Sequence, residues 1–159
     1  MSTTPGRLRD LSEAVELCRA AGVPGDLARA LTALGKIERD LHHLDVARRH
    51  YEEAAVIYRS ENNPLKLAHT IRHVADILQD DSRPDLAEPL YREALDLYRH
   101  NDDTPPLDLA NAIRGLAVLK SESGQSQEAR LLWKEAKDLY ASEGVDAGVR
   151  EASRRLAQT

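Results

Sequence analysis

The sequence predicts an all-α chain built from stacked helix pairs, and three observations carry that reading. Tyr51, Ala54 and Tyr58 return 40 positions later as Tyr91, Ala94 and Tyr98, and 42 positions after that as Trp133, Ala136 and Tyr140. A fixed period of this length marks repeated supersecondary units, each burying its apolar face on the next. Between these landmarks the apolar residues fall at helical spacing, and no run alternates β-branched with polar residues as a strand does. Gly, Pro and Asn clusters interrupt the pattern at regular intervals, where turns belong.

The chain of 159 residues is long enough for one domain with a substantial core. Its 42% hydrophobic and 31% charged content suits a folded helical protein and not a disordered one. A net charge of −5 argues against nucleic acid, because phosphate binding needs a basic surface. The single cysteine, Cys18, excludes an intramolecular disulfide and a multi-cysteine metal site. The N-terminus has no apolar signal core, and no apolar run approaches the roughly 20 residues of a membrane span. A cytoplasmic protein without membrane attachment is the expectation.

The elements follow in order. Residues 1–6 read as a flexible tail. Leu8, Leu11, Ala14, Val15, Leu17 and Cys18 predict a helix over 7–21. It is stopped at Gly22 and Pro24, and it aligns with the second helix of later repeats, so it caps one end. Asp26 is expected to cap a helix running to about Leu41, striped by Leu27, Ala30, Leu31, Leu34 and Ile37. A turn at His42–Asp45 leads to a second helix from Val46 to about Glu61, after which Asn63 caps and Pro64 opens the next. The second repeat repeats this plan, with a turn at Asp80–Pro84 and a bend expected at Pro89. The third opens at Thr104, a cap candidate, and turns at Gly124. Asp146 to Gln158 forms a final amphipathic helix that covers the other end. The repeats thus span 27–64, 65–106 and 107–144, between capping helices at 7–21 and 146–158, in a single domain over 7–159.

These residues resemble the tetratricopeptide repeat. Leu34–Gly35, Ala47 with Tyr51 and Ala54, Ala87 with Tyr91 and Ala94, and Ala129 with Trp133 and Ala136 match its small-residue and aromatic pattern. The period of 40 to 42, longer than the usual 34, is similar to the kinesin-light-chain-like form. The resemblance implies a right-handed α-solenoid of three helix pairs with an extra helix at each end. It also implies a non-catalytic scaffold whose concave groove holds an extended peptide.

Opposite the apolar stripes, each first helix carries a polar face. These faces are Arg29, Thr32, Lys36 and Arg39; His69, Arg72, Asp76 and Gln79; and Asn111, Arg114, Val118 and Ser121. Each set shares one side of its helix. In the resembled family that side lines the groove, which makes Arg29, Lys36, Arg39, His69, Arg72, Asn111 and Arg114 the peptide-contact candidates. Arg154 on the last helix extends the line. Guanidinium groups take carboxylates in bidentate fashion, so an acidic segment or a chain's C-terminal carboxylate is the expected ligand. A basic first helix that only balances an acidic second helix would produce the same string, and peptide titration separates the two readings. Self-assembly through an exposed end, giving a homo-oligomer, and a regulatory sensor closing on a small ligand are the alternatives.

No catalytic constellation appears. His69 and His73 stand four apart, yet no Glu follows His69, so the zinc-protease motif fails. His42, His43 and His50 have no completing carboxylate set. Cys18 occupies a tyrosine slot and reads as a small core residue, and Trp133 reads as core packing. Asp80–Asp81 and Asp102–Asp103 fall in turns as solvated charges. No metal and no cofactor is expected, and the protein reads as no enzyme.

Overall fold

The computed structural model describes residues 4–158, which form eight helices and, among those residues, no strand. The helices are α1 (Thr4–Ala21), α2 (Pro24–Asp40), α3 (Leu44–Ser60), α4 (Pro64–Asp80), α5 (Pro84–Arg99), α6 (Pro106–Glu122), α7 (Ser126–Ser142) and α8 (Asp146–Gln158). The chain divides into two compact units, Met1–Ile77 and Leu78–Thr159, so the boundary falls in the last turn of α4. Of the tail expected at 1–6, residues 1–3 lie outside the described residues and Thr4–Gly6 already belong to α1. Pro5 sits in the first turn of that helix, where the missing amide costs no hydrogen bond.

Six of the seven inter-helix turns share one design. A single residue, at Gly22, His42, Asn62, Ser82, Gly124 and Gly144, takes a left-handed conformation with φ between 53° and 72°. Its own amide and the next one then fold back onto the helix just ended. Gly22 N donates to Arg19 O and Val23 N to Cys18 O, and the same pair recurs at each of the six turns. This is the Schellman closure, which satisfies two orphan carbonyls and reverses the chain in two residues. The exception is the α5–α6 turn, where the repeat lengthens to 42. There Asn101 Oδ1 accepts from Asp103 N at 3.0 Å and Thr104 Oγ1 donates to Tyr98 O at 2.7 Å.

Two expected caps are therefore corrected. Asp26 is not the N-cap of α2, which is Val23 with Pro24 behind it; Asp26 lies in the first turn, where its charge still favours the helix dipole. Thr104 closes the C-terminus of α5, and the N-cap of α6 is Pro105. Asn63 does cap α4, its Oδ1 accepting from Lys66 N at 3.2 Å. The helix α5 runs without a break through Pro89, which sits on its exposed side.

Unit 1 buries Ala28, Leu31, Leu34 and Ile37 of α2 against Ala47, Tyr51, Ala54 and Tyr58 of α3, with Leu67, Ala68, Ile71 and Val74 of α4. Unit 2 buries Ala87, Tyr91 and Tyr98 of α5, Ile113 and Leu116 of α6, and Trp133, Ala136 and Tyr140 of α7. Ala at the closest approaches lets helix axes draw together while the aromatic ring fills the remaining space. The approach is tightest where the ring meets glycine. A Cβ on Gly115 would sit 2.4 Å from Tyr91 Cε1, and one on Gly148 would sit 2.4 Å from Tyr140 Cγ. Cys18 is half-buried, less enclosed than the tyrosines of its register.

Candidate functional site

In unit 1 the polar faces of α2 and α4 meet around His73. Its ring stacks on Tyr51, with centroids 5.0 Å apart and planes 14° from parallel, while His69 stands edge-on at 4.8 Å. Arg72 Nη2 lies 2.8 Å from His73 Nε2, and Arg39 Nη1 lies 3.1 Å from Nδ1. Both guanidiniums also reach Asp76 Oδ2, Arg72 Nη1 at 2.8 Å and Arg39 Nη1 at 3.4 Å.

Electrostatics fix the charge state of this cluster. Burial pushes the His73 imidazole down to about 2, and its neighbours Arg72, His69, Arg39 and Lys36 act in the same direction. The ring is neutral at physiological pH, so it owns one lone pair for two facing arginines. The shorter contact gives that lone pair to Nε2, which accepts from Arg72. Nδ1 lies 3.7 Å from Asp76 Oδ2, beyond hydrogen-bond reach. The guanidiniums of Arg39 and Arg72 converge on Asp76 here, and the Lys36 ammonium adds to the positive field at His73.

The predicted contact residues differ in how available they are. Lys36 and Arg29 are exposed, but Arg29 is paired with Asp26 one turn earlier in its own helix. Arg39 keeps 31% of its side chain exposed. Arg72 keeps only 11%, and its Nε is buried with no hydrogen-bond partner. His69 is half-buried beside His73.

Unit 2 arranges the corresponding face differently. Arg114 is held in a bidentate pair, Nε to Glu151 Oε2 at 2.6 Å and Nη2 to Oε1 at 2.8 Å. That contact keeps the Glu151 carboxyl below its ordinary range, against the opposing effect of partial burial. Asn111 Oδ1 accepts from Tyr140 Oη at 2.8 Å. Ser121 Oγ accepts from Trp133 Nε1 at 3.0 Å, and Gln79 Oε1 accepts from Tyr91 Oη at 3.0 Å. Arg154 is exposed on α8. Arg154 and Arg155 also act on the Glu151 carboxyl, so guanidiniums gather around a carboxylate in this unit too.

Sequence reading did not single out His73, Asp76 or Glu151 as members of a site. Asp76 offered a signal, lying one helical turn after Arg72, the spacing of a helical ion pair. Glu151 offered none, because its 37-residue separation from Arg114 matches no repeat period. Among the described residues no group of three or more His, Cys, Asp or Glu side chains could hold a metal ion, and no helix is long and apolar enough to cross a membrane.

Comparison with known proteins agrees with this architecture. The family described as Tetratricopeptide repeat matches residues 66–142. No curated protein matches the chain. The crystal structure of BtubC (BKLC) from P. vanneervenii is similar to it with a TM-score of 0.67 at 20% identity, covering 94% of this chain and 74% of that one. The likeness shows a shared all-α fold of stacked helix pairs, an α-solenoid of three pairs with an additional helix before and after them. Residues 66–142 thus match the tetratricopeptide repeat family, and the aromatic and small-residue register with its 40- to 42-residue period carries the same pattern into the flanking helices.

Proposed function

We propose that this protein is a non-catalytic scaffold that holds an extended, acidic peptide segment against its first-helix faces. Lys36, Arg39 and Arg72 supply the attraction, with Arg29 and His69 beside them; Asn111 and Arg114 are the corresponding contacts of unit 2. The observation that carries this reading is the gathering of Arg39, Arg72 and Lys36 around the neutral His73 ring, in a protein whose net charge is −5. Opposite charge at the rim of a docking face raises the encounter rate and selects against acidic surfaces of the wrong shape.

The division of labour follows from burial. Arg72 is pinned by Asp76 and packs as part of the core edge, so an incoming carboxylate meets Arg39 and Lys36 first. Guanidinium and carboxylate geometry then allow Arg39 to share its donors between Asp76 and the peptide. A histidine held at about 2 has no proton to give or take near neutral pH, which makes His73 a packing and dipole element rather than an acid–base catalyst.

The test is a titration of a labelled glutamate-rich peptide, with its glutamine analogue as control, against the native chain and the Lys36→Glu/Arg39→Glu variant. Tight binding of the acidic peptide alone, weakened at least about tenfold in the variant while its melting curve is kept, is the expected result. Equal affinity for both peptides, or an unaffected variant, refutes the assignment. Reversing Arg72 is a poor probe, since a buried carboxylate there would damage the fold itself.

A further inference from the structure

Repeat register sorts the helices into two types: α2, α4, α6 and α8 stand in the first-helix position, and α1, α3, α5 and α7 in the second. In unit 2, α7 lies against both α6 and α8, and α1 of unit 1 lies against α2. Successive second-type helices are also tied by charge. Arg19 of α1 pairs with Glu53 of α3 at 2.7 Å, and Arg99 of α5 pairs with Glu135 of α7 at 2.9 Å. Arg92 of α5 reaches Glu128 of α7 at 2.9 Å.

One period further on, the side of α7 that carries Lys134 lines an open groove of about 760 Å³ between α7 and α8. Its floor holds Leu131, 71% exposed, and Leu156, half-buried although Leu34, Val74 and Leu116 in that register are buried. Its rim holds Arg130, Lys134 and Lys137 against Asp138. Lys134 stands where Arg92 stands, and Lys137 where buried Leu95 stands, so this groove has the form of a seat for a second-type helix with a carboxylate on its flank.

Such a helix exists in the chain. In α1, Leu17 is 63% exposed, whereas Ile57, Leu97 and Leu139 in its register are half-buried. Glu13 shares the register of Glu53 and Glu135, each of which accepts an arginine from the preceding second-type helix. We propose that α1 of a second copy of this chain seats in the α7–α8 groove. The incoming α1 and α8 then form a mixed helix pair, with Leu17 laid on the apolar floor and Glu13 toward the cationic rim. The arginine position itself holds Ala141, and Lys137, one turn before it on the same side, supplies the cation. Because the two surfaces differ, the contact is heterologous, and every copy offers both an α1 and a groove. It uses neither Lys36 nor Arg39, so it stands or falls separately from the peptide site.

The experiment is light scattering on the 159-residue chain from low micromolar to near-millimolar concentration. Two variants accompany it, Lys134→Glu/Lys137→Glu in the groove and Glu13→Lys/Glu16→Lys on α1. Glu13, Glu16 and Lys134 are exposed and Lys137 is half-buried, so both variants are expected to keep the native melting curve. The native chain should grow in average mass with concentration. Each variant alone should associate at least about tenfold more weakly, since like charges then face each other. An equimolar mixture of the two should recover association, because each reversed surface meets the other's reversed partner. A native chain that stays monomeric throughout, variants that associate like the native chain, or a mixture that fails to recover would each overturn the proposal.

Discussion

Replacing Gly115 with alanine sets two known effects against each other at one atom. Gly to Ala in a helix interior gains about 1 kcal/mol from backbone entropy and propensity. Against this, the new methyl would lie 2.4 Å from Tyr91 Cε1, 2.7 Å from Cζ and 2.9 Å from the phenol oxygen, about 1 Å inside ordinary contact at its worst. Tyr91 is 1% exposed and its hydroxyl is tied to Gln79, so the ring has nowhere to go. Overpacking of this kind costs about 1–3 kcal/mol, and losing the phenol hydrogen bond adds about 1 kcal/mol. The net expectation for Gly115→Ala is a loss of about 1–3 kcal/mol, which for a chain of this size lowers Tm by roughly 2–4 °C per kcal/mol. Urea unfolding with an unchanged m-value measures it. Gly35→Ala is the internal control: its methyl would meet Tyr51 at 3.1 Å, a gap of a few tenths of an ångström, so the entropic gain and the crowding nearly cancel. In a Tyr91→Leu background the clash disappears, and Gly115→Ala should become stabilising. Equal effects at positions 35 and 115 would refute the close-approach argument.

Three further outcomes are expected. His42→Gly and Ser82→Gly, at left-handed positions with φ of 62° and 56°, should each stabilise by about 1 kcal/mol in denaturant melts, and Gly124→Ala should cost as much. His73 is lowered from 6.5 to about 2 by burial, so the unfolded chain takes up its proton first as pH falls. Its contribution is complete above pH 6.5 and is lost below it at up to about 1.4 kcal/mol per pH unit, and His73→Gln should flatten that slope in unfolding free energies. Lys120, 3% exposed and held by Glu88 at 2.6 Å and Gln125 at 2.9 Å, occupies the register of Leu78. Lys120→Leu should therefore stay within about 1 kcal/mol of native stability, while Lys120→Ala loses packing and costs about 2 kcal/mol or more by calorimetry.

The helices and their order were legible because period and turn chemistry act locally: Gly22, Asn62–Pro64 and Gly124 mark the same turns in the string and in the fold. Caps were less legible. Asp26 and Thr104 both have the chemistry of an N-cap, yet the two-residue Schellman closure leaves Val23 at that place, and the two extra residues before α6 move Thr104 back onto Tyr98. Charge pairing was the least legible. A periodic reading compares a residue with its own register 40 positions away, whereas Arg39–Asp76 and Arg114–Glu151 join different registers across 37. The face that reads as five cations against one acid is thus partly neutralised by Asp26 and Glu151, which lie outside it.

Those pairings follow from a slot that each aromatic opens on the next first helix. Tyr51 meets the His73 ring at 5.0 Å, Tyr91 meets the Gly115 backbone, and Trp133 meets the Arg155 guanidinium at 5.7 Å; these three partners share one register position. The aromatic also touches its own first helix, through Tyr91 to Gln79 and Trp133 to Ser121. Core packing and surface chemistry therefore cannot vary independently in this repeat. An imidazole in the slot of unit 1 gives Arg72 an acceptor and sets the two arginines around Asp76. Glycine in the slot of Tyr91 leaves Arg114 to find Glu151. The residue that fills each slot thus also arranges the charges of the neighbouring face, and substitutions at 73 should be read as changes to both.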